Sequence, residues 1–310
     1  MWMKKRGNKM EKSFRLSSDG MFSRPEEIFP ETPLRIIFLS VEGNVTEQNY
    51  FGWLEKYREK LGIKTGVHVH PLRRGKRDNF SAPAQVLELL EEYIEIRESD
   101  ILPNRMRKVI PTKYTDAFVQ QYMKDPDSVD KDKKEQFEML LKQVGIDLEY
   151  QFFVKEYQEG QDDLFGVVID RDYNTHTVMQ LNEIRKQCIE KGYHFFITTP
   201  CFEFWLLLHL VDVKKQYKGD MQKFRDNEKR TNKYTFTSLQ VSEYAGHSKK
   251  ISEKIFRQYY LNHIDYAISQ VKKFFSTDVE KLIGTDETED SKKGKLGSNL
   301  PELFKLLREF

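Results

Sequence analysis

Apolar positions along this chain fall into short unbroken runs, separated by longer stretches in which they recur every three or four residues. RIIFLSV (35–41) is the first run, of strand length and apolar on both faces, as a parallel strand covered by helices on each side would be. Phe51, Leu54, Tyr57 and Leu61 then fall at near-helical spacing, and Gly62 stands where that helix would stop. VHVHPL (67–72) predicts a second strand. SAPAQVLELLEEYIEIRES predicts a second helix, with Val86, Leu87, Leu90 and Ile94 on one face and Pro83 in its first turn, where proline is tolerated.

The rhythm breaks at about 100–160, where DPDSVDKDKKEQ is flanked by short amphipathic pieces, and this stretch is expected to be a helical insertion. It resumes with the strand LFGVVID (164–170), a helix of about 175–191 closed by Gly192, and the strand HFFITT (194–199). Alternation of this kind predicts an α/β fold with a mostly parallel sheet flanked by helices. From about 212 the pattern is helical: ISEKIFRQYYLNHIDYAISQVKKFF is one long amphipathic candidate, DETEDSKKGK (286–295) a solvated linker, and NLPELFKLLREF a last helix with Pro301 near its start. Residues 1–32 mix charge with Ser, Gly and Pro and are expected to be a loosely held lead-in. There is no internal repeat.

Composition narrows the function. The chain has 310 residues, 38% of them hydrophobic, enough for a substantial core. Its formal net charge of +2 provides no global basic field, so any nucleic-acid site must be local. The basic N-terminal stretch lacks the apolar centre of a signal peptide and FEFWLLLHLV is too short to span a bilayer, so a cytoplasmic protein with no membrane partner is expected. Cys188 and Cys201 form no CxxC and read as buried thiols.

Candidate chemistry lies at the strand ends. In an open parallel sheet the C-terminal ends of the strands converge on one crevice. Glu42 follows the first strand, Asp170 and Asp172 (VVIDRD) the third, and Glu203 (TTPCFEF) the fourth; Glu47 stands five positions after Glu42 in the same turn. A DxD at a strand end sends both side chains out on one face. Taken singly, Glu42 reads as an ordinary turn residue and Asp172 as a helix cap. Crowded together without a cation, such carboxylates would raise one another's pKa at a cost in stability. Hard oxygen donors suit Mg²⁺ or Mn²⁺ better than zinc.

FLSVEGNVTEQNYF, VVIDRDYN and ITTPCFEFWLLLH, in that order, resemble the RloB-like branch of the Toprim superfamily, and GSNLPELFKLL resembles its end motif. The resemblance covers roughly 34–211 and touches the tail. It implies a Toprim-like catalytic domain over 33–211, carrying the insertion, and a helical C-terminal extension over 212–310. It also implies Mg²⁺ binding by Glu42, Asp170 and Asp172, with the family's second turn acid falling on Glu47, one residue late. The activity implied is a metal-dependent nuclease acting in bacterial anti-phage defence, beside an ATPase of the RloA or Old type. A vestigial, non-enzymatic regulatory or sensing subunit is the alternative. A haloacid-dehalogenase-type phosphatase would want its DxD after the first strand, a glycosyltransferase leaves Glu42 unexplained, and a topoisomerase needs a further DNA-gripping region.

Smaller signals remain. Arg73, Arg74, Lys76 and Arg77 follow the second strand and suit phosphate capture, although a solvated loop reads equally well. Phe204, Trp205, Leu207 and Leu208 read as core, His209 as a satisfied buried histidine, and Lys233, Tyr234, Lys249 and Lys250 as surface.

Overall fold

The apolar runs fold as strands β1 (Arg35–Val41), β2 (Val67–Pro71), β3 (Leu164–Asp170) and β4 (His194–Thr199). The structure, a computed structural model, describes residues 35–72, 82–99, 102–144, 163–246 and 250–309. Helices α1 (Thr46–Lys56), α2 (Pro83–Ser99), α3 (Asp116–Lys124), α4 (Lys131–Val144), α5 (Val178–Glu190) and α6 (Phe202–Leu210) intervene or follow. Then come α7 (Phe236–Ala245), α8 (Ile264–Phe274), α9 (Val279–Ile283) and α10 (Leu300–Arg308). The sheet has five strands in the order β2-β1-β3-β4-β5, where β5 is Gly297–Ser298.

Neighbouring strands from β2 to β4 are parallel, and β5 runs antiparallel to β4 with Thr198 opposite Ser298. The sheet is therefore mixed, and the C-terminal part is not wholly helical as the sequence predicts. Two residues have no periodicity to read, and their pairing is decided by the sheet edge they reach. Asn299 extends the same edge with its side chain: its Oδ1 accepts the Ile197 N–H at 2.7 Å and its Nδ2 donates to the Phe195 carbonyl at 2.8 Å.

Unbroken apolar strands are explained by cover on both faces. Ile36, Phe38, Val167, Ile169, Phe195 and Ile197 pack with Val86 and Leu90 of α2 and Leu181 and Ile184 of α5. Each such side chain, fully buried, contributes roughly 1.5–3 kcal/mol. Ser40 shares that face and satisfies its hydroxyl on the Val86 carbonyl at 2.6 Å. Elsewhere α1 and α6 meet in an aromatic cluster of Tyr50, Phe51 and Phe202. There Trp205 Nε1 donates to the Tyr50 hydroxyl at 3.1 Å, and His209 contacts that hydroxyl at 3.1 Å and its own helix carbonyl, Trp205 O, at 2.8 Å. His209 is thus buried and satisfied, and burial pulls its pKa down to about 3.

Between α2 and β3 the described chain is helical, and Tyr114, Phe118, Tyr122, Phe137 and Leu141 form a small core of their own there. The long helix predicted over 251–275 is interrupted. Phe256–Tyr260 makes a π-helical turn before α8, and the wider turn lets Phe256, Tyr260, Leu261 and Ile264 all be buried. The predicted linker 286–295 is pinned, with Asp290 paired to Arg225 at 2.9 Å and Lys293 to Asp226. The lead-in 1–32 lies outside the described residues. Among the described residues no helix is long and apolar enough to cross a membrane.

Candidate functional site

β1 and β3 deliver their last side chains to a common point. The Glu42 N–H extends the parallel ladder by donating to the Val168 carbonyl at 3.0 Å, which fixes the glutamate beside the end of β3. Its Oε2 accepts the Asp170 N–H at 2.9 Å, and its Oε1 stands 3.7 Å from His176 Nε2. Asp170, the last residue of β3, is partly buried, and its Oδ1 accepts the Phe202 N–H at 2.8 Å, in the first turn of α6. A helix N-terminus offers unpaired amides and positive potential to just such a carboxylate.

Even so, the Asp170 pKa is held well above the usual carboxylate range, first by withdrawal from water and then by the negative charges of Glu42, Glu47, Glu203 and Asp172. All five acids singled out from the sequence therefore act on one point. Asp172 begins the next turn: its N–H donates to the Pro200 carbonyl, and its own carbonyl accepts the N–H groups of Thr175 and His176, each at 2.9 Å. Glu203, in the first turn of α6, hydrogen-bonds the buried Cys201 thiol, whose pKa burial pushes well up.

Glu47 reaches the group through a glycine. It lies in the first turn of α1 and is 5% exposed. A Cβ added at Gly43 would fall 1.8 Å from Glu47 Oε2, so the carboxylate occupies the space that a side chain at 43 would take. Glycine is required here for close approach, since Gly43 is not among the glycines with positive φ.

Two residues of the site escape sequence reasoning. Arg171, between the two aspartates, is 1% exposed and sends its guanidinium to carbonyls: Ile283 at 2.5 Å, His176 at 2.7 Å, and Lys292. Alternation along the strand puts it on the face opposite its acidic neighbours, the one readable signal. Burial lowers its pKa to about 10, so it remains charged at neutral pH. His176 is 6% exposed, its Nδ1 lies 3.1 Å from the Asp170 carbonyl, and burial lowers its pKa. Nothing in the sequence marks it, because the turn that brings it back exists only in three dimensions.

A family model described as RloB-like protein matches residues 37–305. The chain belongs to the RloB-like family. No curated protein and no solved structure matches it significantly. The RloB-like span takes in all five acids, Arg171 and His176, and runs on through β5 into α10. It is therefore broader than the 34–211 of the sequence resemblance.

The donor chemistry of this RloB-like site suits a hard divalent cation, being carboxylate oxygens around a carboxyl pressed toward its protonated form. Glu42, Asp170, Asp172 and Glu203 are the residues that would hold it, with Glu47 beside them. Among the described residues, however, no three His, Cys, Asp or Glu side chains stand close enough together to enclose an ion. Glu42 and Asp170 are instead turned toward backbone amides. Arg73, Arg74, Lys76 and Arg77 lie outside the described residues, as does Lys249, whereas Lys233 and Lys250 are exposed.

Proposed function

We propose that this RloB-like chain is a Mg²⁺- or Mn²⁺-dependent nuclease with a Toprim-type core, hydrolysing phosphodiester bonds of DNA or RNA. The observation that carries the reading is Asp170: a partly buried carboxyl on which Glu42, Glu47, Glu203 and Asp172 all act in the same, unfavourable sense. Such an arrangement costs stability unless a cation joins it. A bound divalent cation would polarise the phosphate and generate the attacking hydroxide from water. The chain's own part is positional. The amide of Phe202 orients Asp170, the amide of Asp170 orients Glu42, and Gly43 gives Glu47 room. From the resemblance we extend the proposal to bacterial anti-phage defence beside an ATPase of the RloA or Old type, with Arg73, Arg74, Lys76 and Arg77 as phosphate contacts.

D170N and E42Q are the test, with plasmid, linear DNA and total RNA as substrates in Mg²⁺ or Mn²⁺. Each variant is expected to lose cleavage while remaining folded; full activity in either removes that residue from the site. A second reading, a non-enzymatic regulatory or sensing subunit, is favoured by the lack of an ion-enclosing group among the described residues. Calorimetry with Mg²⁺ and Mn²⁺ separates the two, since the second predicts no binding.

A further inference from the structure

We infer that His176 is a nitrogen ligand of the divalent cation, paired with Glu42, an inference that rests on the metal-dependent reading above. The ring's orientation carries the argument. Nδ1 lies 3.1 Å from the Asp170 carbonyl oxygen. A carbonyl only accepts, so Nδ1 bears the proton, and the neutral ring keeps its lone pair on Nε2. That lone pair faces Glu42 Oε1 at 3.7 Å, with the two side chains 6% and 13% exposed. Two acceptors face each other where little water can come between them. A positive centre is what such a pair lacks.

The spacing suits an ion. Donors each about 2.1 Å from a common octahedral ion stand roughly 3 Å apart when adjacent and roughly 4.2 Å apart when opposite. The observed 3.7 Å lies between these, so a small movement closes the pair on one ion. The surroundings fit as well. Metal-bound histidines ordinarily donate their other ring N–H to a carbonyl or carboxylate, which fixes tautomer and orientation. Here that carbonyl belongs to Asp170, so the ring is tied to the residue at the centre of the acid group. Its own backbone is held too: the His176 N–H donates to the Asp172 carbonyl at 2.9 Å, and its carbonyl accepts from Arg171 at 2.7 Å. An imidazole among carboxylates moves preference away from Mg²⁺ and toward Mn²⁺ and the later first-row ions.

The test uses the full chain loaded with substoichiometric Mn²⁺ and examined by pulsed electron paramagnetic resonance, with calorimetry alongside. The wild type should show ¹⁴N modulation of the Mn²⁺ echo. H176Q should lose that modulation and bind Mn²⁺ about tenfold or more weakly, with a smaller loss for Mg²⁺. Mn²⁺ binding without ¹⁴N modulation in the wild type overturns the assignment of His176 and leaves the nuclease reading standing. Retained modulation and affinity in a folded H176Q does the same. Failure of the wild type to bind Mn²⁺ at all overturns both. H176N is the second variant if H176Q does not fold, and the wild-type spectrum alone is enough to refute.

Discussion

Gly43 has no Cβ, and Glu47 uses the space. Because the atoms that a new Cβ would meet belong to the end of a flexible side chain, G43A should fold with its glutamate displaced. If seating Glu47 is what Gly43 does, G43A, E47Q and the double variant should show the same loss of Mn²⁺ affinity in calorimetry, the double being no worse than either single. Additive losses would give Gly43 a separate role. Asp170 makes a prediction about pH. Its folded pKa lies above the ordinary 3.8, so the folded state holds this proton more tightly than the unfolded chain. The stabilisation is fully present below about 3.8 and is lost as pH climbs through the raised folded value. The metal-free wild type should therefore lose ground to D170N as pH rises across that window, because the uncharged amide of the variant does not titrate and still offers an oxygen to the Phe202 N–H. Denaturant midpoints of the two proteins at stepped pH will show a widening gap; a constant gap would mean that the carboxyl titrates normally.

At the scale of elements, legibility followed the source of each element's stability. β1, β3 and β4 are continuous apolar runs because helices cover both faces, and their bounds match the runs residue for residue. α2 starts at Pro83 as its first-turn proline predicts, and α5 starts behind a Thr177–Gln180 capping box and ends before Gly192 at φ 73°. By contrast β5, the π-helical turn and the Asn299 side chain at the sheet edge answer to distant partners, and local pattern is silent about them. The acids were readable as strand-end residues, whereas the return of His176 to Glu42 was not. Asn299 allows a measurement. N299A would leave the Ile197 N–H and the Phe195 carbonyl without partners at a buried edge, a loss of about 2–4 kcal/mol. Urea titration should show the midpoint falling accordingly; an unchanged midpoint would mean that water or a shifted backbone replaces the amide.

Over the whole molecule, a charge of +2 on 310 residues leaves attraction and repulsion to local geometry. The acids gather at one end of the sheet, while Arg171, the cation nearest them in sequence, turns its charge toward carbonyls. Closure of the sheet has a further consequence, in time. Ile197 and the Asn299 that completes its edge are 102 positions apart. A ribosome releases β1, β3 and β4, with every acid of the site, well before the residue that seals them. Until then the β4 edge offers unpaired amides and carbonyls to any neighbouring strand. A nascent chain of this protein thus carries its chemistry before it has a finished border, and the interval between the two is the time taken to translate about a third of its length.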